Sequence, residues 1–154
     1  MQVRELMSQD VLTCQSDSTL AEAAMAMWKG DCGFIPVLDD GEVRGVITDR
    51  DICFGVMTRG LSADQVFVGQ VMTGEHYSCL PEDRIQDALH VMRIHQVRRL
   101  PVVDEDGVLV GVLSINDVVL EASADPVPSG KPDLASVLEA LQEICSHRNL
   151  PVAV

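Results

Sequence analysis

The chain has 154 residues, enough for one domain or for two small intertwined halves with a real core. Hydrophobic residues make up 47% and aromatics only 3%, and no apolar run approaches the roughly 18 residues that a membrane helix needs. A net charge of −13, with a sequence pI of about 4.4, argues against nonspecific binding to nucleic acid or an anionic membrane, yet a few local arginines can still serve one phosphate group. The segment Met1 to Met7 lacks the basic-then-apolar pattern of a signal peptide, so a cytoplasmic location is expected. Cys14, Cys32, Cys53, Cys79 and Cys145 are odd in number and form no Cys-x-x-Cys pair, which leaves reduced, mostly buried thiols as the expectation. His76, His90, His95 and His147 do not cluster with carboxylates at ligand spacing, so no metal site is expected.

In chain order, a short lead-in strand around Val11 to Thr13 comes first. Leu20, Ala23, Ala24 and Met27 then recur at helical spacing, behind Ser18 at the N-cap position and a Thr19/Glu22 pair that fits a capping box one residue later. Gly30-Asp31-Cys32-Gly33 ends this helix. A buried strand follows from Phe34 to Leu38, whose Pro36 calls for a strand start or an edge. Asp39-Asp40-Gly41 makes a turn into a second strand, Glu42 to Ile47, and Thr48 caps a second helix with Asp49 or Asp51 in its first turn.

The same succession then returns. It runs through a lead-in at Tyr77 to Cys79, a helix carrying Ile85, Ala88, Leu89 and Met92 behind an Asp83/Gln86 capping box, and a strand from Arg99 to Val103. The turn Asp104-Glu105-Asp106-Gly107 leads to a strand from Val108 to Leu113 and a helix capped by Ser114 with Asp117. Sliding the chain by 65 residues superposes the two series, and by 66 after the extra residue in the second turn. Repeat units at residues 1–62 and 63–124 follow, then a Pro/Gly/Ser linker at 125–132 and a C-terminal helix and tail at 133–154. In that last helix Leu134, Val137, Leu138, Leu141 and Ile144 form an apolar stripe that must be buried on its own module or on a partner. The lone tryptophan, Trp28, is expected at a module or dimer surface.

Three features together resemble the CBS domain in its tandem form, the Bateman module. They are Val68-Gly69-Gln70-Val71-Met72-Thr73, the run His95-Gln96-Val97-Arg98-Arg99-Leu100-Pro101-Val102-Val103-Asp104, and Gly-x-x-Thr/Ser-x-x-Asp read twice in register behind a Pro-Val-x-Asp strand. The chain looks most like the short bacterial CBS-pair proteins. The resemblance implies an α/β (α+β) fold: two CBS repeats, each β-α-β-β-α, packed sheet to sheet as one pseudo-two-fold module, plus the C-terminal helix. It also implies clefts between the repeats that take AMP, ADP, ATP, NAD or S-adenosylmethionine, with AMP the first choice, and a homodimer built through the helices.

By the same resemblance, Asp51 and Asp117 would bond ribose hydroxyls, and Thr48 and Ser114 would face phosphate beside a helix N-terminus. Plain helix capping is compatible with both roles. Arg98 and Arg99 occupy a place where similar proteins carry phosphate-binding basic residues; the first unit has Gly33 and Phe34 there, so the two clefts are expected to differ. Arg50 is a further phosphate candidate. Val11, Ile35, Pro36, Tyr77, Leu100 and Pro101 are candidates for contact with the base. The expected function is a regulatory adenine-nucleotide sensor that requires no cofactor for chemistry and acts on an unknown effector protein. The alternative is an interaction or assembly module with vestigial clefts. No nucleophile–base pairing or phosphate loop points to an enzyme.

Overall fold

The structure is a computed structural model, described here for residues 1–122 and 131–146. The first unit contains α1 (Leu20–Lys29), β1 (Phe34–Asp39), β2 (Glu42–Thr48) and α2 (Asp49–Arg59). The second contains α3 (Ile85–His95), β3 (Arg99–Val103), β4 (Leu109–Ser114) and α4 (Ile115–Glu121), and α5 (Leu134–Cys145) follows. One-turn 3-10 segments at Val3–Glu5 and Val68–Gln70 precede the units. Residues 123–130, which hold most of the linker expected at 125–132, and residues 147–154, with His147 and Arg148, lie outside the described residues.

Local chemistry explains most element boundaries. The Thr19 hydroxyl accepts the Glu22 N–H at 3.2 Å while the Glu22 carboxylate accepts the Thr19 N–H at 2.7 Å, the expected capping box of α1. The equivalent box expected at Asp83/Gln86 does not form. Arg84 stands at the N-cap of α3, and the Asp83 carboxylate instead accepts the Leu80 N–H at 2.8 Å. Ser18 behaves likewise, accepting the Gln15 N–H at 3.2 Å, so both residues brace the turn before the helix. Asp40 and Gly41 both have positive φ (54° and 83°), which makes the β1–β2 connection a two-residue hairpin whose twist suits the flanking strands. In the longer second turn the Asp104 carboxylate accepts the N–H groups of Asp106 and Val108.

The lead-in strands shrink to single bridges, Cys14 parallel to Val37 and Cys79 parallel to Val102. They nevertheless place β1 and β3 between two neighbours, so Pro36 and Pro101 are not at edges. Each proline is tolerated because its register partner, Val46 or Val112, directs its own N–H and C=O away, to Thr73 or Ser8. No ladder donor is needed at the proline.

Those outward bonds expose an exchange between the units. Ser8, ahead of the first unit, pairs with Val112 of β4 by two hydrogen bonds of 2.9 Å. Thr73, ahead of the second, pairs with Val46 of β2. Val3 is fully buried among Ile85, Met92, Leu100 and Leu113 of the second unit, and Val66 and Val68 are buried with Leu20, Ile35 and Ile47 of the first. In place of one continuous core there are thus two clusters, each completed by the segment that leads into the other unit. Helix α5 belongs to the second cluster, burying Val137 and Ala140 against α3 and α4 on its own module. The Gln96 amide closes its C-terminal end, donating to the Glu143 carbonyl at 3.1 Å and to the Ser146 hydroxyl at 2.7 Å.

Candidate functional site

A cleft of about 380 Å³ lies where the two units meet, within the range typical of small-molecule sites. Its walls come from both units. Thr48 and Asp51 stand on one side, at the start of α2. Opposite them, His95, Val97, Arg98 and Arg99 line it where α3 gives way to β3. The lead-in of the second unit supplies Thr73, Glu75, His76 and Tyr77, and Phe34, Val46 and Pro101 add apolar surface from the strands.

Each side chain is held by a local cause. Thr48 and Asp51 form a reciprocal capping box: the Thr48 N–H and hydroxyl donate to Asp51 Oδ2 at 2.9 and 2.7 Å, and the Asp51 N–H donates to the hydroxyl at 3.2 Å. Both donations fall on Oδ2, so the capping role and a role for Oδ1 toward a diol do not compete. Gln96 adopts a left-handed φ of 52°, which stops α3 and turns the chain so that residues on either side of it face one space. The Arg99 guanidinium lies 6.0 Å from the centre of the Phe34 ring, a cation–π contact that ties the two units together. Tyr77 stacks on His95 with ring centres 3.5 Å apart and planes 16° from parallel.

Of the residues singled out from sequence, Thr48, Asp51, Tyr77, Arg98, Arg99 and Pro101 come together here. Others do not. Ile35 and Leu100 have no exposed surface; each is sealed in its unit's core and has nothing to present to a ligand. Pro36 is likewise buried and does not line the cleft. Arg50 lies over the Phe54 ring, 5.5 Å from its centre, because residues one turn apart share a helix face; it is turned along α2 and not into the cleft. Val11 lies outside this cleft. Ser114 and Asp117 repeat the capping box in the second unit, at 2.7 to 3.3 Å, but also stand outside this cleft.

The units therefore contribute unequally. The arginines of the second unit face the Thr/Asp pair of the first, and the positions matching them in the first unit are Gly33 and Phe34. Where Tyr77 stacks on His95, the matching pair is Leu12 and Gly30, and a Cβ at Gly30 would lie only 2.3 Å from a Leu12 methyl. Glu75, His76 and His95 were not singled out from the sequence as site residues. His76 adjoins Tyr77 and His95 opens the run that carries the arginines, so proximity to candidates was the one available signal.

Two thiols elsewhere are chemically quiet. Burial, and secondarily the Asp39 carboxylate, pushes Cys14 up to about 11. Burial and then Asp83 push Cys79 up to about 12. Among the described residues no group of three or more His, Cys, Asp or Glu could hold a metal ion, and no helix is long and apolar enough to cross a membrane.

Two similar units with exchanged lead-ins and a cleft built across them define a tandem-repeat module. The CBS domain family model matches residues 3–57 and 68–124, and the chain belongs to that family as a tandem pair. It is 36% identical over 118 residues to the CBS domain-containing protein YhcV of Bacillus subtilis, covering 77% of this chain and 83% of that one. The crystal structure of hypoxic response protein I with two coordinated zinc ions is similar at 32% identity and a TM-score of 0.71, covering 83% of this chain and all of that one. The crystal structure of CBSX2 in complex with AMP is similar at 25% identity and a TM-score of 0.66, over 77% of this chain and 93% of that one.

Proposed function

We propose that the chain is a regulatory, non-catalytic module that binds one adenine nucleotide in the cleft between its units, AMP before ATP or NAD. The observation that carries this reading is the meeting of Thr48 and Asp51, at the start of α2, with Arg98 and Arg99 from the opposite unit. A carboxylate oxygen one turn into a helix accepts from a ribose diol, while two guanidinium groups facing it take phosphate as charge-assisted donors. The AMP bound by the similar CBSX2 supports the nucleotide class. Occupancy would bridge the two units and so fix their relative geometry, which an effector protein could read.

Thermal-shift titration with AMP, ATP, NAD and S-adenosylmethionine tests the reading. A ligand at about 100 times its Kd adds about 2.7 kcal/mol of stability, an easily measured shift. AMP is expected to give the largest shift, and no shift with any of the four at millimolar concentration would overturn the proposal.

A homodimer is the second part of the reading. Met25 and Trp28 on α1 and Phe54 and Met57 on α2 are all more than half exposed, Trp28 at 85%, and together form an apolar face on the first unit. On the second unit the corresponding side of α3 is covered by α5. A second copy meeting the uncovered face would bury it. Light scattering should then give a dimer mass for the native chain and a monomer for Trp28→Glu; a monomeric native chain would remove this part.

A further inference from the structure

We infer that His76 and His95 belong to the anion grip of the cleft and make its affinity for a phosphate group depend on their protonation. The inference deepens the nucleotide reading and rests on it. The titratable groups facing the space are Asp51 from α2, Glu75, His76 and Tyr77 from the lead-in, and His95, Arg98 and Arg99 from the α3–β3 corner. With neutral imidazoles the two arginines are matched by two carboxylates, so the formal charge that an anion meets is set by the histidines.

The geometry gives each imidazole a reason to matter. His76 Nδ1 lies 3.2 Å from the Gly74 carbonyl oxygen. A carbonyl only accepts, so Nδ1 carries the proton, and in the neutral ring Nε2 is a bare acceptor that repels a phosphate oxygen. A second proton turns Nε2 into a charged donor. His95 is the last residue of α3, where the helix dipole favours a cation, and its face lies on the Tyr77 ring at 3.5 Å, a platform that also favours imidazolium. The matching positions of the first unit, Val11 and Gly30, cannot titrate.

An anion stabilises the protonated form of an imidazole beside it, so anion binding and proton uptake favour each other. Affinity for the phosphate group should therefore rise on acidification, as the imidazoles add positive charge to the cleft, and fall as the pH rises.

Calorimetry at pH 8.0 and pH 5.5 tests this with two probes, adenosine and the monomethyl ester of AMP. The ester keeps a single charge over this range, whereas a phosphate monoester titrates near pH 6. Ester affinity is expected to rise about tenfold on acidification while adenosine affinity stays within about twofold. In the His76→Gln/His95→Gln chain the rise should fall below about threefold with adenosine binding retained. General loss of negative charge at pH 5.5 acts on both chains alike and cancels in the comparison. Should the double variant lose adenosine binding through misfolding, the single His76→Gln chain, expected to keep adenosine binding and about half the rise on a logarithmic scale, decides instead. An equal rise in native and substituted chains overturns the histidine role and leaves nucleotide binding standing. If neither probe binds the native chain, the nucleotide reading falls and this inference with it.

Discussion

At Thr48 and Asp51 the same two side chains start a helix and face a cleft, and this double duty shapes what a substitution there reports. Asp51→Ala would remove the capping carboxylate and the proposed diol acceptor together, so it cannot separate folding from binding. Arg99 is the better probe. It is half-buried, has no carboxylate partner among the described ion pairs, and touches Phe34 only through its cation–π contact. Arg99→Ala should weaken AMP about tenfold, the scale of one charge-assisted hydrogen bond, and change adenosine by less than about twofold. Calorimetry with both ligands measures the difference, and equal losses would remove Arg99 from the phosphate site. This arginine was legible in the sequence because it opens the strand that carries the Pro-Val-x-Asp motif. The burial of Ile35 and Leu100 was also foreseeable as core packing, yet from sequence alone a buried strand residue and one facing a cleft look alike. The neighbouring Pro101 lines the cleft where Leu100 does not, since successive strand residues point to opposite faces.

At the scale of elements, the glycine of each Gly-x-x-Thr/Ser-x-x-Asp motif has a mechanical role that the repeat pattern alone does not reveal. An added Cβ on Gly45 would meet the Thr73 carbonyl oxygen at 2.5 Å, because the exchanged lead-in crosses β2 at that point. On Gly111 the nearest atom would be the Met7 sulfur at 2.7 Å, at the end of a flexible side chain, with the Ser8 carbonyl at 3.0 Å. Gly45→Ala should therefore destabilise by about 1–3 kcal/mol, the usual cost of overpacking, and Gly111→Ala by less. Urea unfolding of the two variants checks the order; a larger loss for Gly111→Ala would contradict the crossing as drawn. Thiol reactivity offers a second check on the same lead-ins. Cys14 and Cys79 each form the single bridge to β1 or β3, and burial holds both in the protonated form far above neutral pH, whereas Cys53 and Cys145 are exposed. At pH 8 a maleimide should label Cys53 and Cys145 and leave Cys14 and Cys79 unlabelled until the protein unfolds. Peptide mass mapping reads this directly, and early labelling of Cys14 or Cys79 would show the lead-ins to be open.

For the whole molecule, the exchange of lead-ins sets how the units depend on each other. Periodicity, turn residues and caps exposed the two units, since each of these signals acts over a few residues. The pairing of Ser8 with Val112 and of Thr73 with Val46 joins positions far apart in sequence through backbone atoms, and backbone pairing leaves little trace in residue type beyond the glycines that make room for it. Consequently a defect placed at the start of the chain should be felt in the second unit. Val3 is fully buried among α3, β3 and β4, so Val3→Ala removes packing there and should cost about 1.5–3 kcal/mol. Native-state hydrogen exchange locates the damage. Faster exchange is expected first at amides of Ile85–His95 and Leu109–Ser114, with Leu20–Lys29 in the first unit keeping more of its protection. The mirror variant Val68→Ala should reverse the order, since Val68 is buried with Leu20 and Ile47. A ligand filling the cleft would touch α2 of one unit and the α3–β3 corner of the other, so on the proposed reading saturating AMP should slow exchange in both units of either variant. Protection confined to one unit would mean that the ligand does not bridge them.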